Sequence, residues 1–138
     1  MGFKRALVSD TAKLPQPIRA GDGFVSNVGI KVFAAEADAT LLTAEIAGGL
    51  VLQGTTLTSD VVYTLPTAAL VLAEFESMDI GDAFSFFVTN SQAGAFDVVI
   101  AVGTDITAIG ANNSLSVPPQ TTRLFTLIKT SATTMDLY

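Results

Sequence analysis

Between residues 83 and 102 apolar side chains fall on every second position in two successive runs, and that two-residue period most narrows what the chain can become. Phe84, Phe86 and Val88 share one side of the first run, and Phe96, Val98, Ile100 and Val102 share one side of the second. Successive side chains of an extended chain point to opposite sides, so each run has one face suited to a core. Strands are predicted over 83–90 and 96–102. The link Ser91-Gln92-Ala93-Gly94-Ala95, with its glycine, predicts a hairpin between them. The opposite faces carry Phe87, Val99 and Ala101 beside Ser85, Thr89 and Asp97. That is more apolar than a face bathed in water needs, so a second layer or a second subunit is expected over them.

The remaining pattern is also mostly extended. A turn at Ala20-Gly21-Asp22-Gly23 opens a β-branched and aromatic run over 24–34, and 50–53 and 57–65 are further strand candidates, the last ending at Pro66. Two short helices interrupt them. Thr43 is the expected cap of the first, which holds Glu45 near its positive end and stops at Gly48-Gly49. Thr67 is the expected cap of the second, where Ala68, Val71, Leu72 and Phe75 recur at helical spacing until Ile80-Gly81-Asp82. Residues 103–117 read as a long loop or short strands, Pro118-Pro119 as an unpaired edge, and 122–130 and 133–138 as the last two strands. Gly21-Asp22-Gly23-Phe24 resembles Gly81-Asp82-Ala83-Phe84, but a turn before a Phe-led strand accounts for both without a repeat. The predicted fold is all-β, a jelly-roll-like β-sandwich or barrel with one or two short helices and an extended N-terminal arm. Its expected division is an arm over 1–20 and a single β domain over 21–138.

Charge is scarce. Charged residues are 14% of the chain, against roughly 25% in a typical soluble protein, so some outer faces are expected to be covered by other chains. The competing reading is a single chain coated with Thr, Ser, Asn and Gln. The net charge of −6 is unevenly spread. Lys4, Arg5, Lys13, Arg19 and Lys31 lie in the first quarter, whereas only Arg123 and Lys129 stand against the carboxylates of the rest. An acidic body of this kind repels nucleic acid, and the leader's cations are too sparse for a strong phosphate footprint. Pro15 and Pro17 keep residues 1–20 extended, and Phe3, Leu7, Val8, Leu14 and Ile18 give that leader more apolar content than a solvated tail needs. An arm docking on an acidic protein neighbour is the preferred reading, and a disordered terminus the other.

Catalytic chemistry finds little material. With no His and no Cys, the usual general base, the best nucleophile, disulfides and thiolate metal sites all drop out. Glu74, Glu76, Asp79 and Asp82 cluster, but without the spacing of a calcium loop, and a solvated helix end accounts for them. Gly21-x-Gly23 lacks the further glycine of a dinucleotide fingerprint. No apolar run reaches the ~18 residues of a membrane span, and no signal-peptide core follows Lys4 and Arg5. The expectation is therefore a non-enzyme with no catalytic residue, cofactor or metal, and with no nucleic acid, membrane or small-molecule substrate as partner.

The run Tyr63-Thr64-Leu65-Pro66-Thr67-Ala68-Ala69, then Gly81-Asp82-Ala83-Phe84-Ser85-Phe86-Phe87-Val88-Thr89-Asn90, then Thr121-Thr122-Arg123-Leu124-Phe125 and the closing Leu137-Tyr138, resembles the small capsid decoration, or cement, proteins of tailed bacteriophages. It resembles β domains of phage fibres as well. The likeness covers roughly residues 40–138, and the leader around 7–22 looks like the arms such proteins carry. What the resemblance implies is a structural virion protein, made in the host cytoplasm, that trimerises on the outer capsid surface and bridges major capsid proteins. The alternative is a trimeric fibre-head or receptor-binding domain presenting loops such as 103–116. The expected docking residues of the arm are Phe3, Lys4, Arg5, Leu7, Lys13, Leu14, Ile18 and Arg19. Phe87, Val99 and Arg123 are the expected subunit-interface residues.

Overall fold

The computed structural model describes residues 29–110 and 115–138. The chain order is β1 (Ile30–Phe33), β2 (Ala39–Thr40), α1 (Thr43–Ala47), β3 (Leu50–Gln53), β4 (Val61–Thr64), α2 (Ala68–Glu74), β5 (Ala83–Asn90), β6 (Val98–Ala101), β7 (Ile106–Ala108), β8 (Ser116–Val117), β9 (Thr121–Lys129) and β10 (Met135–Leu137). Odd-numbered strands and β10 build one sheet in the order β1-β3-β5-β9-β10-β7, and the others build a second, β2-β4-β6-β8.

From β1 to β9 the chain therefore alternates between the two sheets. A strand that crosses to the other layer and returns beside its starting point runs in its original direction, which makes the neighbours parallel. So β1 pairs with β3 and β3 with β5 in parallel, as do β2 with β4 and β4 with β6. Antiparallel pairing appears only where β9 joins β5 and β10 and where β8 joins β6. This overturns the all-β, jelly-roll-like expectation: a jelly roll is antiparallel, whereas here two mixed sheets carry two short helices on their crossovers.

The expected hairpin of residues 83–102 is corrected for the same reason. β5 ends in the six-stranded sheet and β6 lies in the four-stranded one, so Ser91 to Asp97 form an arch between layers. Buried amides account for it. Asn90 Nδ2 donates to the carbonyls of Phe96 and Val117, each at 3.0 Å, and Gln92 Nε2 donates to Phe96 O at 2.7 Å. These side-chain bonds tie the end of β5 to the start of β6 and to β8 in the other layer, where a hairpin would join β5 and β6 by backbone pairing.

Between the layers lies one core. Val51, Phe86, Val88, Phe125, Leu127, Met135 and Leu137 from the larger sheet are buried with Val61, Tyr63, Val98, Ile100 and Val117 from the smaller. Each fully buried side chain of this size contributes about 1.5–3 kcal/mol. Rings stack through it: Phe86 lies 5.8 Å from Phe125 and Phe33 4.3 Å from Tyr63. Both helices add to one rim. α1 buries Ile46, and α2 buries Ala68 and Val71 while Phe75 meets Phe84 in a tilted ring contact at 4.6 Å. Thr67 caps α2 as expected, its Oγ1 accepting from Leu70 N at 3.3 Å. Thr43 does not cap α1, since it is already helical. The cap position is Leu42, whose N–H donates to Glu45 Oε2 at 2.8 Å.

Candidate assembly surfaces

Strand alternation places Phe86 and Val88 inside and Ser85, Phe87 and Thr89 outside. Pairing register then sets what stands beside Phe87. Ile30 pairs with Leu50, Leu50 with Phe87, and Phe87 with Leu124, so these four residues form one row across β1, β3, β5 and β9. Ile30, Phe87 and Leu124 are 56%, 47% and 53% exposed. The neighbouring row on the same register is Val32, Leu52, Thr89 and Thr122, the last two joined through their hydroxyls at 2.8 Å. On the other side Ser85 and Thr126 make a similar bond, also at 2.8 Å. On this face the four strands present no charged side chain; Lys31, Arg123 and Lys129 lie on the other side, opposite Val51, Val88 and Met135. A shallow hollow of about 580 Å³, lined by Ala47, Gly48, Gly49, Leu50, Ser85, Phe87, Thr89 and Thr122, adjoins the row.

A second uncharged surface lies at the rim where the smaller sheet crosses back to the larger. Here a groove of about 410 Å³ is lined by Thr40 to Thr43, Thr64 to Thr67, Leu70 and Val102 to Thr104. Leu42 and Leu70 project beside it, 63% and 59% exposed. The groove is a stack of equivalent crossovers. Leu41 N donates to Thr64 O and Leu65 N to Ala101 O, both at 2.8 Å, and Ala68 N donates to Thr104 O at 3.0 Å. Thr40-Leu41-Leu42-Thr43-Ala44 thus sits on Thr64-Leu65-Pro66-Thr67-Ala68. At Gly103 a Cβ would run into the carbonyl oxygens of Leu65 and Pro66, so only glycine lets the third crossover approach the second.

The opposite rim is polar and satisfied from within. Glu36 accepts from the backbone and hydroxyls of Thr58 and Ser59 at 2.8–3.0 Å, and these bonds, that from the Ser59 hydroxyl foremost, hold its carboxyl below the usual carboxylate range. Asp38 accepts from Val62 N at 2.7 Å and Asp60 from Asp97 N at 2.8 Å. Beneath them Tyr63 donates to Gln53 Oε1 at 2.7 Å. Burial, with Asp38 nearby, pushes the Tyr63 phenol up to about 12. At the first crossover burial opposes charge on Glu45, yet Lys31 Nζ at 2.7 Å and the Leu42 N–H overcome it and hold that carboxyl below its ordinary value.

Of the expected interface residues, Phe87 lies in the exposed row. Val99 lies on the other sheet, opposite Val62 and Ser116. Arg123 stands opposite Val88, on the side of β9 away from Phe87. The three do not form one patch. Phe3, Lys4, Arg5, Leu7, Lys13, Leu14, Ile18 and Arg19 lie outside the described residues. Ile30, Leu50 and Leu124 carry no such signal in the sequence, because a row across a sheet depends on register, which the sequence does not display. The crossover repeat did have a signal in the paired Thr-Leu-x-Thr-Ala stretches. Among the described residues, no three His, Cys, Asp or Glu side chains are grouped to hold a metal, and no helix is long and apolar enough to cross a membrane. No family model, curated protein or solved structure matches this chain.

Proposed function

We propose that the chain is a structural virion protein, a capsid decoration protein that assembles as a homotrimer on the outside of a phage head and bridges major capsid proteins. The supporting observation is that two separate surfaces, the Ile30–Leu50–Phe87–Leu124 row and the crossover groove beside Leu42 and Leu70, are apolar, exposed and uncharged. A cross-linking protein needs two such contacts, one toward its own copies and one toward the shell. Burial of apolar area is worth about 25 cal/mol per Å² and needs no chemistry at either site. The charge-poor composition and the likeness to decoration proteins favour the same reading.

The test is to mix the full chain with undecorated heads, pellet them and image them. A regular coat that slows rupture of the heads on heating supports the proposal. Heads left bare, or antibody label confined to tail tips, would replace it with the fibre-head alternative.

A further inference from the structure

We infer that the open edge of β2 is a strand-docking site and that its occupant is this chain's own Leu14-Pro15-Gln16-Pro17-Ile18, laid parallel to β2 as a fifth strand of the smaller sheet. Those residues lie outside the described ones, and the assignment comes from the edge they would fill. It goes beyond the assembly reading above and does not depend on it. It leaves residues 1–13, not 1–20, for an arm that reaches a neighbour.

β2 ends the smaller sheet on one side, and an edge strand offers a row of backbone donors and acceptors for another strand to pair with. The winding says where that strand comes from. Each return from the smaller sheet to the larger passes over the rim that carries the groove, and the chain reaches β1 at the same rim: a Cβ on Gly48, just past α1, would run into the backbone of Gly29. One turn earlier, the alternation therefore puts the chain in the smaller sheet, running parallel to β2 along its open side.

Handedness then sorts the residues. The buried Leu41, Val61, Leu65 and Ile100 all donate their N–H groups away from the open edge, to carbonyls of Thr64, Asp97, Ala101 and Leu115 on the side of the next strand. A parallel neighbour of β2 has the same hand, so its core-facing residues donate to β2 and its outward-facing residues turn their backbone to the free edge. Proline has no donor and suits only such an edge. Leu14-Pro15-Gln16-Pro17-Ile18 meets both conditions at once: Leu14, Gln16 and Ile18 donate, while Pro15 and Pro17 face out and block any further strand. The same choice turns Leu14 and Ile18 toward Phe33 and Ala39, which are only partly buried against the core. Length agrees. The described returns to the larger sheet span residues 41–49, 65–82 and 102–105. A strand at 14–18 leaves 19–29 for that task, whereas the apolar run beginning at Phe24 would leave almost nothing.

The full chain tests this directly because it has no cysteine of its own. Ala39→Cys is combined in turn with Leu14→Cys, Gln16→Cys and Ile18→Cys, which scans the register. Mild oxidation is expected to close a disulfide within one chain in at least one of these variants, with a yield unchanged on dilution. Links between chains would assign the edge to a second copy, and no link in any variant would leave it to a different partner; either result overturns the inference. Hydrogen exchange gives a reading without cysteine. The Thr40 N–H is expected to be protected in the wild type and in Pro17→Ala, and to exchange at least about tenfold faster in Gln16→Pro, which deletes a donor to β2. Equal exchange in the wild type and Gln16→Pro overturns it as well.

Discussion

Phe86 and Phe87 are neighbours on one strand and occupy opposite faces of one sheet. Phe86 is fully buried against Phe125 and Phe84, while Phe87 is about half exposed between Leu50 and Leu124. Both faces carry aromatic and branched residues, and the outer one adds hydroxyls but no charge. What distinguishes them is that the fold itself covers one and leaves the other open. A strand with a single buried face normally alternates apolar with polar. On β1, β3, β5 and β9 the outer face keeps Ile30, Leu50, Phe87 and Leu124 where that rule would place polar residues, and substitutions on the two faces are expected to fail in different ways.

The largest effect belongs inside. Phe86→Ala removes a buried ring and is expected to cost about 3–5 kcal/mol of folding stability in a denaturant melt; a loss under 1 kcal/mol, on the scale of a surface change, would erase the contrast. Next is Tyr63→Phe, which keeps the ring on Phe33 but leaves Gln53 Oε1 without its donor. The expected loss is about 1–3 kcal/mol. In the wild type the raised phenol pKa means that this stability is intact below pH 10.0 and lost as pH climbs through about 12. An absorbance titration that finds the Tyr63 phenol ionising near 10.0 would contradict its burial. Thr67→Ala removes the cap of α2 at an expected cost of about 1 kcal/mol, readable as a shift in urea midpoint.

Outside, Phe87→Ala is expected to change the stability of the isolated chain by no more than about 0.5 kcal/mol. Its signature lies elsewhere. On the proposed assembly the wild-type midpoint is expected to rise with protein concentration, and the variant's midpoint is expected to be flatter. Acid provides the mildest probe. Glu36 and Glu45 are both held below their ordinary 4.5, so their contribution is present above that pH and fades as pH falls through their depressed values. The unfolding midpoint is expected to drop below pH 4.5 and Glu36→Gln to drop less; equal slopes would contradict the role of the Thr58 and Ser59 bonds.

Much of the local structure was legible in the sequence. The strand at 83–90 matches β5 at both ends, and Thr67 caps the helix that was read from it. Period and capping are local properties, carried by residues a few positions apart. Layer assignment is not local: the Gly-containing link after Asn90 suits a hairpin and an arch equally, and the choice falls to bonds that Asn90 and Gln92 make to Phe96 and to the distant Val117. For the same reason Phe87 could be singled out from its alternation, while its partners Ile30, Leu50 and Leu124 became visible only when parallel winding set the register.

The central claim is the proposed assembly of this charge-poor chain with its own copies, and the mass of the full chain in solution tests it most directly. Sedimentation equilibrium across a hundredfold dilution range is expected to give three times the 14.3 kDa of one chain at the concentrated end, with dissociation on dilution. A constant mass of 14.3 kDa at every concentration would contradict the account.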